Sequence, residues 1–198
     1  MKNITAKFVA TLILSLSPFA VSQESVNLDR MSLGYLQLDD DYLEASGAVV
    51  GFTTSFGANQ NWVIGASGGS LDFDDVSATA DIYQFGIGYA SYGENSATVL
   101  SIGAGQTNAT VCYFGCFSDG VSFTFTSLDY IYNATDSIEL TAGLTAQNIS
   151  DSDADVSTTV GIGLGANFYV TPNVAFTVDV GRDNDDVTSA GVGILYRF

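Results

Sequence analysis

Apolar residues recur at every second position along most of the chain. The pattern is cleanest at the carboxy-terminal end. There Ala190, Val192, Ile194, Tyr196 and Phe198 fall on one face, and Ser189, Gly191, Gly193, Leu195 and Arg197 on the other. A period of two belongs to a β-strand. Apolar-out, small-or-polar-in alternation over some ten residues belongs to a strand with lipid on one side and a lumen on the other. The same unit recurs upstream and predicts ten strands: Arg30–Leu38, Ser46–Phe56, Asn61–Leu71, Thr79–Tyr89, Ala97–Thr107, Gly120–Tyr132, Ser137–Gln147, Thr158–Val170, Val174–Gly181 and Val187–Phe198.

Two of these strands are irregular. In the first, Leu33 and Tyr35 compete with Leu36 and Leu38 for the apolar face. In the sixth, Val121, Phe123 and Phe125 are odd-numbered while Leu128, Tyr130 and Tyr132 are even. A β-bulge near Thr126 or Ser127 would bring both runs to one face and is expected there. Between strands, compact turns alternate with acidic connections. An even strand number with both termini on the periplasmic side puts every compact turn at the periplasm and every acidic connection outside. The expectation is a single closed, antiparallel, up-and-down transmembrane β-barrel of ten strands. Eight strands is the alternative, reached by rejecting one hairpin.

Composition narrows the class. Gly makes up 21 of 198 residues, Pro only 2, and charged residues 14 %. The glycines gather opposite the large apolar side chains. A soluble sandwich or jelly roll would bury the apolar face and show water a Gly-rich surface poor in charge, which is a poor soluble surface. A calcium-binding β-helix would need a nonapeptide repeat, and none is present. Trp62, Tyr89, Tyr130, Tyr132, Phe168, Phe176, Tyr196 and Phe198 all stand beside expected periplasmic turns, as an interfacial girdle would.

The first 22 residues read as a secretory signal. Lys2 and Lys7 precede an apolar run from Phe8 to Val21, and Ala20-Val21-Ser22 is a small-x-small cleavage site. The expected mature domain is residues 23–198, beginning at Gln23. The formal net charge is −17. Beyond the signal only Arg30, Arg182 and Arg197 are positive, so nucleic acid is excluded as a partner.

Candidate chemistry is sparse. Cys112 and Cys116 in an exported chain point to a disulfide. It would close a small outer loop and present Tyr113, Phe114 and Phe117, either as a binding knob or simply as a stabilised loop. The acidic connections carry Asp39, Asp40, Asp41 and Glu44; Asp72, Asp74 and Asp75; Asp119; Asp151, Asp153 and Asp155; and Asp183, Asp185 and Asp186. Such a rim can hold Ca²⁺ or Mg²⁺ loosely, or serve only for solvation. Asp151, Asp153 and Asp155 have the alternate spacing of a calcium loop without its Gly or distal Glu. No metal or other cofactor is assigned. The chain has no histidine, the usual proton-transfer group at neutral pH, so a non-enzyme is expected. Inside the lumen the expected charges are Glu139, Asp179 and Arg197, with Asp129 a further candidate. A glycine-lined lumen of ten strands leaves room for a narrow cation path. Inward loops, or Leu71, Tyr169 and Leu195, would plug it.

The signal, the alternating strands, the tight turns and the Tyr196-Arg197-Phe198 end together resemble the small bacterial outer-membrane β-barrels of the OmpA-transmembrane-domain and OmpX type. The resemblance implies a Gram-negative outer membrane, with lipid and lipopolysaccharide around the barrel. It also implies that Tyr196 and Phe198 act as the signal read by the barrel assembly machinery. The expected function is non-enzymatic, through acidic surface loops in envelope integrity, adhesion or surface interaction. A narrow porin-like channel is the alternative. Neither a ligand nor an oligomeric state follows from these residues.

Overall fold

A computed structural model describes residues 26–40, 43–74, 77–112, 116–150 and 157–198. The expected signal, Gln23, Asp41, Asp75, Tyr113, Phe114, Asp151, Asp153 and Asp155 lie outside the described residues.

Ten antiparallel strands form one closed barrel. They are β1 (Arg30–Asp40), β2 (Leu43–Phe56), β3 (Trp62–Phe73), β4 (Ala78–Tyr92), β5 (Ser96–Cys112), β6 (Cys116–Thr135), β7 (Ile138–Ser150), β8 (Ser157–Thr171), β9 (Val174–Asp183) and β10 (Thr188–Arg197). Each strand pairs with its sequence neighbours. The seam between β1 and β10 closes the sheet in continuous register from Arg30↔Arg197 to Asp39↔Thr188. Closure satisfies the edge hydrogen bonds that a membrane interior would leave unpaired. Val26, where the described residues begin, and Phe198 lie at the rim with the short turns, which is the periplasmic rim of such a barrel.

The outer surface is an apolar belt. Leu33, Tyr35, Phe85, Ile102, Leu144, Leu164, Val178 and Ile194 are all exposed and point outward. In β1 the competition is settled in favour of Leu33 and Tyr35 outside, with Leu36 and Leu38 buried inside. The expected aromatic girdle faces outward at the periplasmic rim, where Trp62 packs edge-on against Tyr89 at 5.5 Å. At the seam Phe198 stacks on Phe52 at 5.9 Å and lies 6.4 Å from Tyr196.

The sixth strand departs from expectation. No bulge occurs at Thr126 or Ser127, where pairing with β5 and β7 is continuous. The register shift lies instead between Asn133 and Thr135. With alternation unbroken, Leu128, Tyr130 and Tyr132 face lipid while Val121, Phe123 and Phe125 turn into the lumen. The reason is volume. A methyl group built on Gly103 would run into the Phe125 ring, and one on Gly105 into the Phe123 ring. The glycines of β5 are the space those two rings occupy.

Several residues expected in outer connections sit in strands. Asp39 and Asp40 belong to β1, Glu44 to β2, Asp72 to β3, Asp119 to β6 and Asp183 to β9. The strands continue past the lipid belt, where both faces meet water and alternation carries no signal. The β5–β6 hairpin is the longest of these extensions, paired out to Cys112↔Cys116.

Candidate functional site

The interior has three levels. At the periplasmic end, Arg30 and Arg197 are register partners across the seam and both point inward. Two like charges placed opposite each other repel. Glu139 on β7 reaches both. It lies 3.0 Å from Arg30 and 2.7 Å from Arg197, and Asn167 donates a 2.6 Å hydrogen bond to it. The Arg197 guanidinium also sits 3.7 Å from the centre of the Tyr169 ring, a cation–π contact. One carboxylate thus bridges the two arginines of the closing seam and ties them to β7.

The residues before β1 complete this end. Val26 and Leu28 are buried with Val63, Ala90, Ala97, Val99 and Ile131. Asn27 accepts from Arg30 Nε at 2.9 Å through its carbonyl and donates at 3.2 Å to the Phe198 carbonyl. Asp29 accepts from Thr54 at 2.7 Å and from the Ser55 amide at 3.0 Å. The segment is folded under the barrel as a stopper.

The middle level is small and polar. Gln84 donates to Ser67 at 2.8 Å, and Ser101, Ser127 and Asp129 form a hydroxyl chain at 3.1 and 2.9 Å. Asp179 faces Gly165 and Thr141 on the glycine-lined wall and has no hydrogen-bond or ion-pair partner among the described residues. Buried Thr145 and Gln147 also leave polar atoms unpaired, which is how protein lines a space that holds ordered water.

The outer level is apolar. Leu36, Leu38, Leu71, Ile82, Val121, Phe123, Phe125 and Ile149 are buried in one cluster. Val187 also turns inward and is buried, its amide held at 3.0 Å by Asp183. Above this level the β5–β6 hairpin projects. Its tip is closed by the Cys112–Cys116 disulfide, with Cα atoms 4.2 Å apart. Phe117 is 79 % exposed beside it. Among the described residues no three side chains of His, Cys, Asp or Glu come together as a metal-ligand set.

Of the residues singled out from sequence, Glu139 and Arg197 are therefore brought together, Asp179 stands apart, and Leu71, Tyr169 and Leu195 all point inward. Sequence reasoning missed Arg30 and the Val26–Asp29 stopper. Arg30 shares the parity of inward Ser32 and Gly34, and that signal was available. The stopper has none, because two apolar residues outside any strand carry no pattern.

No protein-family model matches this chain, and no curated protein matches it. Solved structures do. The translocator domain of the autotransporter NalP from Neisseria meningitidis is 12% identical, with a TM-score of 0.51 over 99% of this chain and 96% of that one. The β domain of the Bordetella autotransporter BrkA is 12% identical, with a TM-score of 0.50 over 86% of this chain and 99% of that one. Neisserial surface protein A is 11% identical over 85% and 95%, with a TM-score of 0.46. The likeness is one of fold. With the closed ten-stranded wall and its lipid-facing belt, it makes this chain a β-barrel protein of the outer membrane of a Gram-negative bacterium.

Proposed function

We propose that this is a non-enzymatic, non-conducting surface barrel. It acts through its acidic outer rim and disulfide-tipped hairpin in envelope integrity, adhesion or surface interaction. A lumen closed at both ends carries this reading: an apolar plug outside, an ionic latch and a stopper at the periplasmic end. The same reading has residues 1–22 removed on export, the Tyr196–Phe198 end read by the assembly machinery as in the OmpA and OmpX type, and divalent cations held loosely at the rim. Solute entry into liposomes tests it. Vesicles carrying the refolded protein are expected to exclude small sugars and ions as protein-free vesicles do, and steady entry would refute the closed state.

A second reading, a narrow channel for small solutes or cations, has one observation in its favour. The β7–β10 wall is lined by glycines that are only half-buried, and unpaired Asp179 faces that space. A path there would prefer cations.

A further inference from the structure

The lipid-facing surface is not evenly convex. A groove of about 750 Å³ crosses it, lined outside by Phe52, Ile64, Phe85, Ile102, Thr124 and Asn148. Its course follows the register. Phe52, Ala66, Phe85, Ala104, Thr124 and Asn148 are successive partners from β2 to β7. Ile64, Ile87, Ile102 and Thr126 form the next row toward the periplasm. In the upper row large and small side chains alternate, so Ala66 and Ala104 are the floor between ridges.

These rows climb, because strands in a closed barrel are tilted and staggered. From Tyr35 in the belt, successive partners are Ala48, Ser70, Asp81, Asn108 and Gly120. That path leaves the apolar belt and ends on the projecting hairpin. The groove climbs in the same sense. It begins at Phe52 among apolar side chains and ends at Thr124, Thr126 and Asn148, at the extracellular edge of the belt. The Asn148 Oδ1 accepts from Thr158 at 2.8 Å, which leaves its amide protons to donate. The Thr124 and Thr126 hydroxyls have no partner among the described residues. Polar groups at the lipid boundary without protein partners are unfavourable unless something else bonds them.

We propose that this groove binds one acyl chain of lipopolysaccharide, the ester or amide carbonyl at the head of the chain accepting from Thr124, Thr126 and Asn148. The polarity gradient fixes the direction, tail toward Phe52 and head toward the cell surface. That orientation belongs to a lipid of the outer leaflet. The adjoining groove of about 490 Å³ is lined instead by Ser70, Tyr83 and Asp81, where the Asp81 carboxylate beside the two hydroxyls repels a lipid carbonyl or phosphate oxygen.

The test is native mass spectrometry of the refolded barrel titrated separately with purified lipid A and with phosphatidylethanolamine. The wild type is expected to hold one lipid A more tightly than phosphatidylethanolamine, whose chains offer these donors ester carbonyls but no amide carbonyl. Ala104→Trp fills the floor from outside and is expected to weaken lipid A binding at least tenfold. Ala190→Trp, on the outer face of β10, is expected to bind as wild type does. Thr124→Val with Asn148→Leu keeps the floor but removes donors and is expected to weaken binding several-fold. Heat-modifiable migration on gels confirms that each variant is folded; if Ala104→Trp does not fold, Phe85→Ala, which removes a ridge, takes its place and is expected to weaken lipid A binding several-fold. Unchanged binding in Ala104→Trp, or equal loss in Ala190→Trp, would overturn the site. Equal or tighter binding of phosphatidylethanolamine would overturn the lipid assigned to it.

Discussion

Replacing Glu139 with Gln probes the latch that closes the barrel. The side chain is fully buried and carries three close contacts, to Arg30 at 3.0 Å, Arg197 at 2.7 Å and Asn167 at 2.6 Å. Gln keeps the shape and one acceptor. It also places an amide donor against a guanidinium and leaves two facing arginines with no counter-charge. Removing one partner of a buried ion pair costs about 3–5 kcal/mol. At a urea slope of about 2 kcal/mol per molar, that moves the unfolding midpoint down by roughly 2 M. Trp62 is the only tryptophan and faces lipid at the periplasmic rim, so its fluorescence in vesicles reports unfolding. Asp179→Asn is the matched control. It removes an inward carboxylate that has no partner among the described residues, and is expected to leave the midpoint unchanged or raise it. A Glu139→Gln midpoint within about 0.5 M of wild type would refute the latch. So would an equal drop in Asp179→Asn.

Other outcomes follow from the same structure. Phe125→Ala opens a void over Gly103 and is expected to cost about 3–5 kcal/mol in the same unfolding assay; a cost below about 1 kcal/mol would mean the ring does not fill the lumen. Val178→Arg sets a charge at mid-belt and is expected to cost about 2–4 kcal/mol, whereas Thr177→Lys, one residue back and beside Asp179 on the inward face, is expected to cost less than about 1 kcal/mol; the reverse order would invert the assigned faces. Cys112→Ser with Cys116→Ser removes a small covalent loop and is expected to lower stability by about 2 kcal/mol or less while the barrel still folds. Mass spectrometry after alkylation without reductant is expected to show no labelled thiol on the wild type.

Much of the wall was legible because lipid imposes one rule on every strand. Outward residues must be apolar, and a slip of one position would put Gly and Asp into the bilayer. This is why β4, β7, β8 and β10 were clear. The rule fails where an apolar side chain has a second destination. Val121, Phe123 and Phe125 are as hydrophobic as any belt residue, so hydrophobicity assigns them to lipid and asks for a bulge that the strand does not have. Their complement lies on the neighbouring strand, in Gly103 and Gly105, and only register brings the two together. The outer half of the β5–β6 hairpin was short in the sequence reading for the opposite reason. From Gln106 to Gly120 both faces are mostly small or polar, so period two leaves no trace. The latch was half legible. Glu139 and Arg197 stood out as inward charges, while Arg30 was hidden at the edge of the least regular strand.

Single-channel recording from the refolded protein in planar bilayers tests the closed lumen most directly. With Leu36, Leu38, Phe123 and Phe125 across the outer level and the Arg30–Glu139–Arg197 latch below, the wild type is expected to stay silent over a wide voltage range. Stable, cation-preferring open steps from the wild type would contradict it.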